Sequence, residues 1–373
     1  MYFEQFMNGS AEMEPVSHVD ILTMACEGAE FAGEAEIALI EEDGRICMTL
    51  GSEGVGDALA AVADKAKEVG TKIWKWLVEF MRKVRAFVSQ AIVSLRNGAI
   101  MNTLKKIIAK GKAKMKNDEW KENAPKPERA SKWNVDVQRA VNGIWFIGEP
   151  AVKKLYDTAG KLNNKLTKAM GNSTSFGTGN DKDGTGAYTN MTSGASDSDG
   201  EIQSILDEIP KIKDENDGEP FKKSTPGGYV GSVGSAGKKN ANTQWLERLD
   251  AAFVKEIKVD SNETNAKIIT SAINAAIMLS KKMAADPIIK SYEVLKLLDT
   301  EVNLVKKLCA DAGKAGAREL KRIKKIQKCV SKIGTTVTLF CRRQLGAYKK
   351  ATALVLRLYS MAGSMEKDDY NED

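Results

Sequence analysis

Two long stretches of this sequence place apolar residues three or four positions apart, and this spacing limits the fold more than any other feature. The first stretch runs from 57 to 95, and the second from about 318 to 362. Residues at these intervals share one face of an α-helix, and that face has to be buried against another element. We therefore predict two long amphipathic helices within an all-α fold.

Shorter segments with the same spacing predict further helices. Pro125 and Pro127 end one of them, because proline cannot continue a helix. Strand patterns are nearly absent apart from the stretch "GRICMTLG" at 44–51. The further predicted helices span 99–116, 133–145, 150–169, 243–257, 261–284 and 286–311.

A change of composition divides the chain near residue 171. Gly, Ser, Thr, Asn and Asp fill 24 of the 30 positions from 171 to 200, and Leu, Ile and Val do not occur there. Such a segment buries too little apolar area to offset the entropy lost on ordering, so we predict a disordered linker with one helical turn at "EIQSILDEI". The predicted organisation is an acidic leader (1–53), a basic helical region (54–170), the linker (171–242), a C-terminal helical domain (243–362) and an acidic tail (363–373).

The leader and the rest of the chain carry opposite charge. Residues 1–53 hold twelve Asp and Glu against a single base, Arg45, which gives about −11. The other 320 residues hold 55 Lys and Arg against 38 Asp and Glu, or +17, so the formal +6 of the whole chain is a cancellation. Such asymmetry favours a basic body that meets polyanions and an acidic segment that restrains it. An acidic arm without a special role explains the composition equally well.

The side chains that most enzymes use are scarce, and we predict no enzymatic activity. His18 is the only histidine, so we expect neither a catalytic histidine pair nor a histidine-based metal site, and we place His18 on the surface. The five cysteines lack CxxC spacing and indicate reduced thiols in a cytosolic setting. We predict no cofactor, no secretory signal peptide and no membrane-spanning run.

Two helical segments concentrate positive charge. Residues 65–116 hold fourteen Lys and Arg against two Glu, and residues 314–357 hold thirteen against one. Charge of one sign repels itself along a helix, which favours contact with a polyanion over a merely solvated face. The sequence carries no signature of a helix-turn-helix, zinc finger or aromatic RNA platform, so we predict contact with a polyanion without sequence-specific readout. The predicted contacts are Lys321, Arg322, Lys324, Lys325, Lys328 and Lys332.

The stretch "KIWKWLVEFMRKVRAFV" at 72–88 permits a second interpretation. Trp74 and Trp76 alternate with bases there. Aromatic rings at the interface and bases at the headgroups would suit a helix that lies on a membrane surface. A helix whose wide apolar face packs into a bundle explains the same pattern, and we favour the bundle.

The order of these segments resembles the internal head (inner-body) proteins of large tailed bacteriophages. The resemblance rests on an acidic leader, the stretch "LGSEGVGDALAAVADKAKEVGTKIWKWLVEFMRKVRAF" and a Lys-rich helical body, and it covers residues 20–90 in pattern and the rest in composition. In that family a prohead protease removes an N-terminal propeptide after Glu, in small-x-Glu or aliphatic-x-Glu triplets. The matching triplets "ACE", "AGE", "LIE" and "GSE" end at Glu27, Glu34, Glu41 and Glu53.

The resemblance implies a non-enzymatic virion protein that is made in the host cytoplasm and packaged inside the phage head. Its partners would be packaged DNA, the prohead protease and other capsid or inner-body proteins, with ejection into the host as a further expectation. Cleavage after Glu53 would move the formal charge from +6 to +17 and strengthen attraction to DNA. The alternatives are a membrane-active secreted translocator or toxin that uses residues 72–95, and a chromatin or scaffold protein.

Overall fold

The computed structural model describes the helical parts of the chain. The predicted helices at 133–145 and 243–257, the predicted strand at 44–51 and the acidic tail lie outside the described residues, as does most of the predicted linker. The described residues are 17–30, 39, 55–116, 149–173, 200, 202–209, 223–224, 230–231, 265–315 and 317–361.

The described residues are helical almost throughout, which confirms the predicted all-α class. The only pairing of strands among them is a short antiparallel ladder of Lys223–Ser224 with Val230–Gly231, in which Lys223 lies opposite Gly231. A 3₁₀ turn at Pro287–Lys290 precedes the seventh helix. The helices are α1 (His18–Glu30), α2 (Val55–Asn97), α3 (Ala99–Lys116), α4 (Glu149–Ser173), α5 (202–209), α6 (Asn265–Ala284), α7 (Ser291–Ala315) and α8 (Ala317–Met361).

The two long helices and the short helix within the predicted linker are confirmed, whereas α1 was not predicted. Its start follows a capping box, in which Ser17 Oγ accepts from the Asp20 N–H at 3.1 Å and Asp20 Oδ2 accepts from the Ser17 N–H at 2.8 Å. Gly98 separates α2 from α3, and its N–H donates to the Ser94 carbonyl at 3.2 Å.

The chain forms two compact units that interleave along the sequence. Each unit takes helices from both predicted helical regions, and α2 and α8 contribute to both units. Apolar spacing identifies the buried face of a helix but not the helix that covers it, so this interleaving did not follow from the sequence. Unit 1 consists of Met1–Ser89, Glu149–Lys213 and Lys290–Leu339, and unit 2 consists of Gln90–Gly148, Asp214–Ile289 and Phe340–Asp373.

In unit 1, the first half of α8 lies in the core. A Cβ at Gly334 would come within 2.8 Å of Cε1 of Phe80 in α2, so glycine allows these two helices to approach closely. Phe80 is itself fully buried. The short helix α5 also reaches α8, where the Cys329 thiol lies 3.8 Å from the Ile202 carbonyl oxygen. Helix α7 packs along α4 in the same unit.

In unit 2, α3 packs along α6. A Cβ at Gly111 of α3 would lie 2.7 Å from Cγ1 of Ile273, so this glycine sets the distance between the two helices. Lys114 Nζ lies 5.4 Å from the ring centroid of Tyr359, within the range of a cation–π contact. The buried side of α3 is formed by Met101, Leu104, Ile107 and Gly111.

A buried polar cluster joins the turn before α7 to α8 within unit 2. Asp286 accepts hydrogen bonds from the Tyr348 hydroxyl at 2.6 Å, the Gln344 amide at 3.0 Å and the Ile288 N–H at 2.9 Å. Burial raises the pKa of Asp286, and these three hydrogen bonds act in the opposite direction. These hydrogen bonds satisfy the buried carboxyl of Asp286, and the one from the Ile288 N–H caps the 3₁₀ turn. The role of this cluster is therefore structural.

Candidate nucleic-acid interface

The six predicted DNA contacts on α8 divide into two groups. Arg322 and Lys324 are buried, at 8% and 5% exposure, and Arg322 Nη1 donates to Glu319 Oε1 at 2.8 Å. These two side chains are largely covered in this structure, whereas the sequence analysis counted them among the DNA contacts; contact of the six bases with DNA stays a prediction. The remaining four follow one stripe at intervals of four, three and four residues, with exposed ends and half-buried middle members. This stripe consists of Lys321, Lys325, Lys328 and Lys332.

Other elements of unit 1 reach the first half of α8 at several positions. Gly70 of α2 lies against Ile323, α5 reaches Cys329, and α1 reaches Thr338. The sequence contained a signal that other elements surround this part of α8. The stretch "CVSKIGTTVTLFC" at 329–341 contains a single charged residue, Lys332. A helix segment that lacks a charged face is typically buried among other helices.

Helix α3 carries the most one-sided basic surface of the described residues. Its 18 residues include no Asp or Glu, and five of its six lysines are exposed while Lys114 is half-buried. The five exposed side chains lie outside the buried face that Met101, Leu104 and Ile107 form against the core. We call these five residues the α3 basic face: Lys105, Lys106, Lys110, Lys112 and Lys116.

The α3 basic face carries an electrostatic cost. Lys106 and Lys110 are four residues apart, as are Lys112 and Lys116, and each such like-charge pair destabilises a helix by about 0.2–0.5 kcal/mol. Interaction of the lysines of the last turn with the helix dipole offsets part of this cost. An external polyanion would remove the repulsion, which makes this surface suited to phosphate contact.

The bases of α2 are neutralised to a greater extent. Lys72 Nζ lies 2.9 Å from Glu68, Arg82 donates to Glu79 at 2.6 and 2.8 Å, and Arg85 pairs with Asp299 of α7. The hydrogen bond from Lys72 lowers the pKa of Glu68, and the one from Arg82 lowers the pKa of Glu79. These pairs engage three of the bases of α2 with carboxylates.

The two tryptophans proposed for membrane contact pack inside unit 1. The Trp76 ring stacks on Phe80 with centroids 5.0 Å apart, and Lys306 of α7 lies over the Trp74 ring at 5.1 Å. The indole nitrogens of both tryptophans are buried. This packing supports the bundle interpretation of residues 72–88. None of the helices formed by the described residues is both long enough and apolar enough to cross a membrane.

The acidic leader contributes a helix to unit 1. The expectation that His18 lies on the surface is wrong, because its side chain is 6% exposed. His18 Nδ1 lies 3.1 Å from Thr338 Oγ1 of α8, and its ring centroid lies 6.0 Å from that of Phe87 in α2. On the same helix Ile21 and Met24 are buried. The spacing 18, 21 and 24 together with the capping box was a sequence signal for this helix.

The four predicted cleavage sites lie at or beyond the end of this contact. Glu27 is exposed on α1, in the part of the helix that follows the buried residues. Glu34, Glu41 and Glu53 lie outside the described residues, and cleavage at all four sites stays a prediction.

The described cysteines are free thiols. Cys309, Cys329 and Cys341 are buried and Cys26 is exposed. Burial raises the pKa of Cys309 to about 11 and that of Cys329 to about 12, so both thiols stay protonated near neutral pH and are weak nucleophiles. Within the described residues no group of His, Cys, Asp and Glu side chains could hold a metal ion.

No family model matches the chain, and neither a curated protein nor a solved structure matches it.

Proposed function

We propose that this chain is a non-enzymatic protein that binds double-stranded DNA without sequence preference. The observation that carries the proposal is the α3 basic face, a helix surface with five exposed lysines and no carboxylate on the same helix. The stripe on α8 formed by Lys321, Lys325, Lys328 and Lys332 adds a second basic surface in the other unit. Lysines that meet phosphates supply affinity without base readout.

Replacement of the five lysines of the α3 basic face by Gln tests this proposal. Glutamine keeps the helix propensity and removes the charge, so we expect weaker binding to every duplex sequence alike. Each lost phosphate contact should flatten the slope of log affinity against log salt by about 0.9. The matched control replaces the same five lysines by Arg and should keep both affinity and slope. Unchanged affinity in the Gln variant would leave α3 as a solvated surface.

We further propose that the protein resides inside the head of a tailed phage and is processed within residues 1–53. The charge difference between leader and body supports this, because loss of residues 1–53 would leave +17 on the remaining chain. Peptide mass spectrometry of purified particles should detect the protein with an N-terminus between Gly28 and Gly54. Particles that contain the chain with an intact Met1 would contradict the processing.

The membrane-active alternative would use residues 72–95. Their apolar face forms part of the buried core, in Ile73, Leu77, Phe80, Val84 and Leu95. Membrane insertion through this face would first require the helix to leave its neighbours. The packing therefore favours the DNA-binding proposal.

A further inference from the structure

The leader helix α1 has one buried face and one exposed face. His18, Ile21 and Met24 are buried in unit 1, whereas Val19 is 62% exposed. The buried residues recur at intervals of three along the helix, which is how an amphipathic helix fills a groove on a partner. Unit 1 thus presents a helix-binding surface to α1.

The polar contact at the start of α1 is directional. The Thr338 hydroxyl donates to the Thr335 carbonyl at 3.0 Å, so its oxygen is left to accept from His18 Nδ1–H, 3.1 Å away. The His18 ring also makes a tilted contact with the ring of Phe87. A hydrogen bond and an aromatic contact in one place define the register of α1 on α2 and α8 more closely than apolar burial alone.

Electrostatics act at the same end of the helix. Asp20 experiences the positive charge of Lys83 on α2, and the Ser17 hydrogen bonds, followed by this charge, lower the pKa of Asp20. An acidic residue of the leader thus lies within the electrostatic influence of a base of the body. Both the distance dependence and the exposure of Asp20 keep this interaction weak in water.

The buried residues of α1 whose side chains the structure describes precede the first candidate cleavage site. Met24 is the last of them, and Glu27 is the nearest site. A cut after Glu27 or at any later candidate site would therefore leave the contact residues together on one fragment. None of the described contacts that hold α1 against α2 and α8 is broken by such a cut.

We propose that unit 1 retains the leader helix as a non-covalent ligand after cleavage, so that cleavage and release of the leader are separate steps. This inference rests on the proposed processing of residues 1–53. Before the cut, the tether gives α1 an effective concentration in the millimolar range, and after the cut binding depends on the actual concentration. The basic body then gains its full charge only when the fragment departs.

The test uses the intact folded chain with a site-specific protease sequence in place of residues 45–51. After cleavage, gel filtration at micromolar concentration should show the leader fragment eluting with the body. Ile21→Asp places a charge at a buried position and should increase the released fraction at least about tenfold. Val19→Asp is the matched control on the exposed face and should leave retention unchanged. Circular dichroism before cleavage verifies that each variant is folded.

A second variant keeps the test decisive if Ile21→Asp fails to fold. Thr338→Val preserves the shape of the side chain, removes the acceptor for His18 and should weaken retention several-fold. Immediate separation of the wild-type leader on cleavage, or equal release from the Ile21 and Val19 variants, would overturn the inference. DNA affinity measured on the same samples is an independent readout: a body that has released its leader and still does not bind DNA overturns the proposed function alone.

Discussion

Glu301 of α7 lies in the core of unit 1 without a compensating contact. The residue is fully buried, and neither carboxyl oxygen has a hydrogen-bond partner among the described residues. Burial raises the pKa of Glu301 well above its ordinary value of 4.5. The Glu301 carboxyl therefore keeps its proton at pH values above its ordinary pKa. The reason is that an ionised carboxylate without a partner is costly in the interior.

A pH-dependent loss of stability should follow from Glu301. The unfolded chain releases this proton near 4.5, whereas the folded chain keeps it to higher pH. Its stabilising contribution is thus complete below the unfolded pKa and is lost as pH rises through the folded pKa, with a slope of at most about 1.4 kcal/mol per pH unit. Urea unfolding across this range should show the decline in the wild type.

Glu301→Gln should remove this part of the decline, since an amide does not titrate. Glu293→Gln, at an exposed position of the same helix, is the control and should retain the wild-type profile. Asp286 and Asp299, whose pKa values burial also raises, give a residual decline of the same sign in both variants. Identical profiles for the wild type and Glu301→Gln would show that Glu301 is not buried as described.

At the scale of the element, two glycines of α8 lie in opposite environments. Gly334 lies against Phe80 and Val84 of α2, whereas a Cβ at Gly346 would meet nothing within 4 Å. Gly334→Ala should destabilise the protein by about 1–3 kcal/mol, because the fully buried Phe80 ring has little room to move. Gly346→Ala should stabilise it by about 0.4–1 kcal/mol, because alanine restricts the unfolded chain and favours helix.

Thermal or urea unfolding of the two glycine variants checks this pair of predictions. The opposite signs of the two changes matter more than their sizes, since both variants add one methyl group to the same helix. Stabilisation by Gly334→Ala would mean that α2 and α8 are not in close contact there.

The sequence was informative about elements and less informative about their neighbours. Apolar spacing located α2, α3 and α8, since each has a continuous buried face. The same spacing did not indicate that Arg322 and Lys324 would be covered, because burial of a flanking residue depends on helices distant in sequence. The burial of His18 was missed for the same reason: its partner, Thr338, lies 320 residues away.

At the scale of the whole molecule, charge is divided between a leader and a body of opposite sign. The leader carries about −11 and the rest +17, and the structure adds that α1 of the leader packs on α2 and α8. The basic surfaces of α3 and α8 belong to different units. The proposed function requires that these surfaces bind phosphates by charge and not by base sequence.

The salt dependence of duplex-DNA affinity tests that requirement most directly. The intact chain is titrated with two duplexes of unrelated sequence at several salt concentrations. The α3 basic face alone, with five lysines, predicts a slope of log affinity against log salt of about −4.5, the same for both duplexes. An affinity that does not change with salt, or that differs strongly between the two duplexes, would contradict the account.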